Sequence, residues 1–128
     1  MPSESVDGVF RAGSLIERIG AEDRVGDLLS QDTRERYSRQ IRNLASRRTE
    51  GDVALLSPEI LVRDLQDRIE HNTISRATAR LERAASLFWL AERAQDLLDA
   101  GSGEFGRFES AYTDILRLKF DGLSKRST

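Results

Sequence analysis

Residues 73–100 read T-I-S-R-A-T-A-R-L-E-R-A-A-S-L-F-W-L-A-E-R-A-Q-D-L-L-D-A, and this stretch decides the fold. From Arg76 to Ala100 it contains neither Gly nor Pro, and its Ala, Leu, Arg and Glu residues lose little conformational freedom in a helix. Ser75 carries the hydroxyl of a good N-cap. The spacing therefore predicts one long helix over 75–100, about 37 Å from end to end at ~1.5 Å per residue. That length crosses a small domain, so the other helices are expected to pack against this one.

The two halves of the helix differ. At about 100° per residue, Ile74, Ala77, Leu81, Ala84, Ala85 and Phe88 share one face, while Arg76, Arg80 and Arg83 form a stripe at i, i+4, i+7. From Leu87 the run Leu87, Phe88, Trp89, Leu90, Ala91, followed by Ala94, Leu97 and Leu98, leaves no polar face, which implies burial on several sides. The second half is expected to be core and the first half to be presented.

Composition bounds the rest. A length of 128 residues suits one domain with a core of its own. There is no Cys, which excludes disulfides and thiolate metal sites and suits a cytoplasmic protein; His71 is the one histidine, which excludes a multi-histidine metal site, and no cofactor is implied. No stretch resembles a secretory signal, and no apolar run approaches the roughly 18 residues of a membrane span. Val and Ile are sparse, charged residues make up 33%, and Pro58 is the only proline beyond the start, so the expected fold class is all-α, a bundle of four to five helices.

Outward from the long helix, the chain divides into a tail at 1–13, a helical domain at 14–121 and a basic linker at 122–128. Ser14 with Glu17 reads as a capping box ahead of Leu15, Ile16 and Ile19, which fall on one side. Asp32 with Glu35 opens a helix to about Arg48, with Tyr37, Ile41, Leu44 and Ala45 inward and Arg36, Arg39, Asn43 and Arg47 outward, Arg42 beside them. Pro58 at the first helical position starts a third helix, with Ile60, Leu61, Leu65 and Ile69 inward and Arg63, Asp64, Asp67 and Glu70 facing solvent. Gly101 to Gly103 ends the long helix. Phe105, Phe108, Tyr112, Ile115, Leu116 and Phe120 then recur at helical spacing, which predicts a last helix over 104–120.

Net charge is −2, but its distribution says more than its sum. Residues 32–48 carry six Arg against two acids, and 49–72 carry two Arg against six acids. Residues 73–94 carry four Arg against two Glu, and 1–31 carry three Arg against six acids. Charge thus alternates by element. An ordinary solvated helix face interleaves Glu with Arg, yet no acid lies between Arg36 and Arg48.

Catalytic patterns are missing: the chain holds no P-loop, no G-x-S-x-G and no metal-spaced cluster. Tyr37 and Tyr112 lie on apolar faces, and His71 sits at a helix end with no visible partner. No reaction is assigned to this chain alone.

Thr33-x-x-x-Tyr37 with Ile41 and Leu44 on a basic helix, the helix from Glu59 to Glu70, then Ser75-Arg76-Ala77-Thr78 with Leu81 and Leu87 to Leu90, together form a pattern over about residues 14–100. It resembles the N-terminal core-binding domain of tyrosine recombinases, the phage-integrase family, a SAM-like helical bundle that clasps double-stranded DNA. That resemblance implies DNA-facing positions at Thr33, Arg36 and Arg39 on one helix and at Ser75, Arg76, Thr78, Arg80 and Arg83 on the other. It also implies a role in DNA integration and recombination in which a separate domain carries the nucleophilic Tyr. That domain's His-x-x-Arg motif and terminal Tyr are absent here, so the chain is expected to be non-catalytic. The competing expectation is a helical interaction module in which Phe105, Phe108, Tyr112 and Phe120 dock a partner or a second copy.

Overall fold

The computed structural model describes residues 30–123. Serine hydroxyls begin three of its four helices: Ser30, Ser57 and Ser75 accept from the backbone N–H of Thr33, Ile60 and Thr78 at 3.2, 3.3 and 3.1 Å. Each cap pairs an amide that a helix start leaves without an intrahelical acceptor. Among the described residues the helices are α1 Gln31–Arg48, α2 Pro58–Glu70, α3 Arg76–Asp99 and α4 Phe105–Leu116, with a 3-10 turn at Val53–Leu55. Pro58 stands at the start of α2, where its missing N–H costs nothing.

The stops are as local as the starts. After α3 the chain turns through Gly101 at φ 68, a left-handed conformation that suits a residue without Cβ. The N–H of Gly101 and Ser102 then bond back to the carbonyls of Leu98 and Leu97, satisfying acceptors the helix end leaves open.

Helix α3 touches α1, α2 and α4 and forms the axis of the bundle. Leu87, Phe88, Trp89, Leu90, Ala91 and Ala94 are all buried, as the run without a polar face requires. Leu44 and Ala45 meet them from α1, Leu61 and Leu65 from α2, and Tyr112 and Ile115 from α4. Each such Leu or Ile contributes roughly 1.5–3 kcal/mol by leaving water. The all-α bundle is thus built, and the long helix begins and ends within a residue of expectation.

Four local expectations are corrected. Helix α1 is capped by Ser30 rather than opened at Asp32, because Ser30 Oγ reaches the Thr33 amide. On the first half of α3 the inward residues are Ala79, Glu82, Ala85 and Ser86, while Ala77 is exposed and Leu81 and Ala84 are half-buried. The helix is turned so that Glu82 meets arginines of the other helices, a long-range pairing that apolar spacing does not register. Leu98, expected in the core, is 40% exposed, because it lies in the last turn of α3. Helix α4 stops at Leu116, not 120, and the chain continues without helix so that Phe120 and Leu123 fold back onto α3, where both are buried. The reading at Ser14 to Ile19, the tail at 1–13 and residues 124–128 lie outside the described residues.

Candidate nucleic-acid interface

The arginines divide into three groups by what they touch. The first group holds the helices together. Arg47 Nη2 lies 2.9 Å from Asp64 Oδ2, Arg48 Nε lies 2.8 Å from Asp64 Oδ1, and Arg48 Nη2 lies 3.0 Å from Asp67 Oδ2. Arg68 hydrogen-bonds Glu82, and Arg47 Nη2 approaches the same Glu82 oxygen at 3.4 Å. Asp64 was expected to face solvent, yet it is 1% exposed. The reason is that α1 lays two guanidiniums over it, and Arg68 one turn along α2 adds a third at 3.7 Å. Burial alone would raise the Asp64 carboxyl's pKa, but hydrogen bonds from Arg47 and Arg48 outweigh it and hold the group below its ordinary range.

The second group ties down the segment after α4. Arg76 Nη2 donates to the Leu123 carbonyl at 3.2 Å and to that of Asp121 at 3.5 Å. Arg83 Nη1 donates to the Leu118 carbonyl at 3.3 Å, and its guanidinium carbon stands 4.3 Å from the centre of the Phe120 ring. Burial, followed by the nearby charge of Arg80, lowers the Arg83 pKa, as expected for a cation drawn out of water and set beside a like charge.

The third group is presented. Arg36, Arg39 and Arg42 are exposed on α1 and meet no carboxylate among the described residues, with Asn43 exposed next to Arg42. Arg34 sits on the same helix, its guanidinium 3.2 Å from the side-chain oxygen of Gln31. On α3, Arg80 is exposed.

The positions implied by the resemblance therefore lie in different settings. Arg36, Arg39 and Arg80 are open to solvent. Arg76 and Arg83 hold their own chain. Ser75 is buried, and its hydroxyl, like that of Ser30, is engaged with the threonine three residues on: Ser75 Oγ donates to Thr78 Oγ1 at 3.1 Å and Ser30 Oγ to Thr33 Oγ1 at 2.9 Å. Thr33 and Thr78 are thus cap partners at helix starts. Arg42 joins the exposed set and was read from sequence only as a neighbour. The sequence reading turns Asp64 and Asp67 toward solvent and gives Glu82 no role, although Asp64 and Arg68 are spaced i, i+4 and Asp64 sits beside the inward Leu65.

Beside the exposed cations runs a groove between α1 and α3. Tyr37, Ile41, Val53, Phe88 and Trp89 make its apolar floor, and its deeper part encloses about 300 Å³. Its rim continues along Arg34, Glu35, Arg39, Arg42 and Glu92. The Tyr37 and Phe88 rings meet at 5.7 Å between centres, and Arg93 lies 4.5 Å over the Trp89 ring. The Trp89 indole Nε1 is buried without a hydrogen-bond partner among the described residues.

The aromatic residues after Gly101 are turned into the bundle. Phe108, Tyr112 and Phe120 are buried by their own chain, Phe105 packs against the core, and Trp89 stacks on Phe108 at 6.1 Å. Among the described residues the large exposed hydrophobics are Leu55 and Leu98. His71 caps α2, its Nδ1 2.7 Å from the Asp67 carbonyl. No group of three or more acids or histidines among the described residues could hold a metal ion, and no described helix is long and apolar enough to cross a membrane. Comparison with known proteins finds no matching family model, no matching curated protein and no matching solved structure.

Proposed function

We propose that the chain binds duplex DNA through its phosphate backbone, with Arg36, Arg39 and Arg42 of α1 as anchoring cations and Arg80 of α3 as an outlying one. In this reading it is the core-binding module of an integrase-like recombinase, placing on DNA a catalytic unit that it does not itself contain. The observation that carries the reading is a contrast within one helix. Arg47 and Arg48 meet carboxylates at 2.9 and 2.8 Å, whereas Arg36, Arg39 and Arg42 meet none among the described residues. A guanidinium presents a planar fork of donors that matches phosphate oxygens and the O6/N7 edge of guanine. Three of them on one helix face form a short cationic track in an otherwise acidic chain.

The test is anisotropy of a fluorescent random duplex across a salt series, with wild type beside the triple variant Arg36→Ala, Arg39→Ala, Arg42→Ala. Three phosphate contacts give a slope of log K against log salt of about −3. Loss of binding in a variant whose urea unfolding is unchanged supports the proposal. Equal affinity of the two proteins, or a salt-independent signal, sinks it.

A further inference from the structure

We infer that Arg80 of α3, with Arg117 and Lys119 of the segment after α4, forms a second phosphate-binding patch that grips the same duplex beyond the α1 track. This rests on the proposed function for its ligand and adds Arg117 and Lys119 to the surface. The returning segment changes what α3 presents. Arg76 and Arg83 are withdrawn from the stripe, their guanidiniums held by the carbonyls of Asp121, Leu123 and Leu118. In exchange the segment brings cations of its own. Arg117 and Lys119 flank Leu118, so the 3.3 Å bond from Arg83 Nη1 to the Leu118 carbonyl holds both beside the first half of α3. Arg80 stands about one turn from Arg83, close enough for its charge to act on that guanidinium.

The charge gathered here is uncompensated. Arg80, Arg117 and Lys119 are exposed and meet no carboxylate among the described residues. Asp114 and Asp121, the acids nearest to Arg117 and Lys119 in the chain, are exposed and pair with none of the three. Glu82, on the first half of α3, is buried and bound by Arg47 and Arg68. With Arg76 and Arg83 beneath, five cations share one end of α3 in a chain of net charge −2. Like charges so placed raise the local potential, and a polyanion that neutralises them releases its own counterions on binding.

Spacing favours a duplex over a small anion. Glu92, 12 positions after Arg80 on α3, borders the recess lined by Arg39 and Arg42. That separation is about 18 Å at ~1.5 Å per residue, or about five base pairs of duplex. A rigid polyanion of this reach touches both sets of cations at once, whereas a small anion touches one.

The test uses the full chain and a fluorescent random duplex. Wild type is compared with the variant Arg80→Gln, Arg117→Gln, Lys119→Gln, which keeps polar side chains at exposed positions, with the urea midpoint as folding control. Six phosphate contacts, three on α1 and three here, give a slope of log K against log salt of about −5, and three give about −3. A slope near −5 in wild type that falls to near −3 in the variant supports the patch. Equal slopes overturn it and leave the α1 reading standing. Heteronuclear NMR supplies a second readout that needs no variant, following the Lys119 and Arg39 amides as duplex is added at low salt. Both should shift. A shift at Arg39 alone overturns the patch, and a shift at Lys119 alone upholds it while removing α1 from the proposed function. If neither amide moves, both readings fall. Poly-glutamate serves as the acidic-protein control: if it moves Lys119 and duplex does not, the surface belongs to a protein partner and the DNA patch is overturned.

Discussion

Arg47 and Asp64 stand 17 positions apart and meet with Nη2 2.9 Å from Oδ2. This contact joins α1 to α2 on a carboxylate that also receives Arg48, while the same Arg47 reaches toward Glu82 of α3. Three helices thus share one set of charges. Removing Asp64 leaves guanidiniums gathered around an apolar gap, so Asp64→Ala should lower unfolding free energy by about 3 kcal/mol, read from urea melts. Asp64→Asn keeps the shape but not the charge, and should fall between wild type and Asp64→Ala. A loss under about 0.5 kcal/mol in both would mean that the network is no more than a surface ion pair.

Acid should act through the same carboxylate. Asp64 has its pKa lowered in the fold, and a group so shifted contributes stability above its unfolded value that is lost as pH falls through the folded one. Glu59, hydrogen-bonded by Arg107 at 2.8 Å, is lowered from 4.5 to about 2, with the same sign. Urea midpoints should therefore stay level from about pH 7 to 5 and decline as pH drops from about 4.5 toward 2. Asp64→Asn should flatten that decline. Glu59→Gln should change it little, because Glu59 and Arg107 are both largely exposed and water screens their pairing.

Much of this architecture is legible locally. A Ser ahead of Arg76, Pro58 behind another Ser, and the run from Leu87 to Leu90 are signals written within a few residues of the structures they produce. What was not legible depends on residues distant in the chain. Asp64 looks like a solvent-facing acid until α1 places Arg47 and Arg48 over it. Arg76 and Arg83 look like a presented stripe until the carbonyls of Leu118, Asp121 and Leu123, 35 to 47 positions away, fold back to meet them. Helical spacing carries Phe105 to Phe120 in one run, yet burial of Phe120 against α3 takes the chain out of helix after Leu116. The alternation of basic and acidic elements was visible. Its main use inside the molecule, pairing α1 with α2, was not.

The return of the chain onto α3 can be tested at Phe120. The ring is buried beneath Arg83, and the Leu123 N–H bonds the Phe120 carbonyl at 3.0 Å. Phe120→Ala removes a buried aromatic at the margin of the core and should cost about 3 kcal/mol, the low end for such a truncation. Hydrogen exchange at the Leu123 amide should accelerate by more than exchange at Ile115, which lies inside α4. Uniform acceleration at both sites would mean that the segment folds as one unit with the bundle.

Two arginine sets, Arg76 with Arg83 and Arg36 and Arg39 with their neighbour Arg42, should behave oppositely. Arg76 and Arg83 hold residues 118–123 through backbone carbonyls, and the Arg76 Nε is buried without a hydrogen-bond partner among the described residues, so both side chains lie half-buried against the fold. Arg76→Ala with Arg83→Ala should lower the urea midpoint and speed exchange at Leu123, by about 1–3 kcal/mol for hydrogen bonds from charged donors together with the aromatic contact. Because Arg80 stays in place and α1 is untouched, affinity for duplex DNA should change by less than about threefold below the unfolding transition. Arg36→Ala, Arg39→Ala and Arg42→Ala should do the reverse: unfolding free energy within about 0.5 kcal/mol of wild type, as for exposed residues that meet no carboxylate among the described residues, and DNA binding lost. The two measurements separate fold from recognition only if the variants cross over in this way. A loss of affinity that tracks the unfolding free energy in both variants would assign all five arginines to stability, and the cationic track on α1 would then have no ligand of its own.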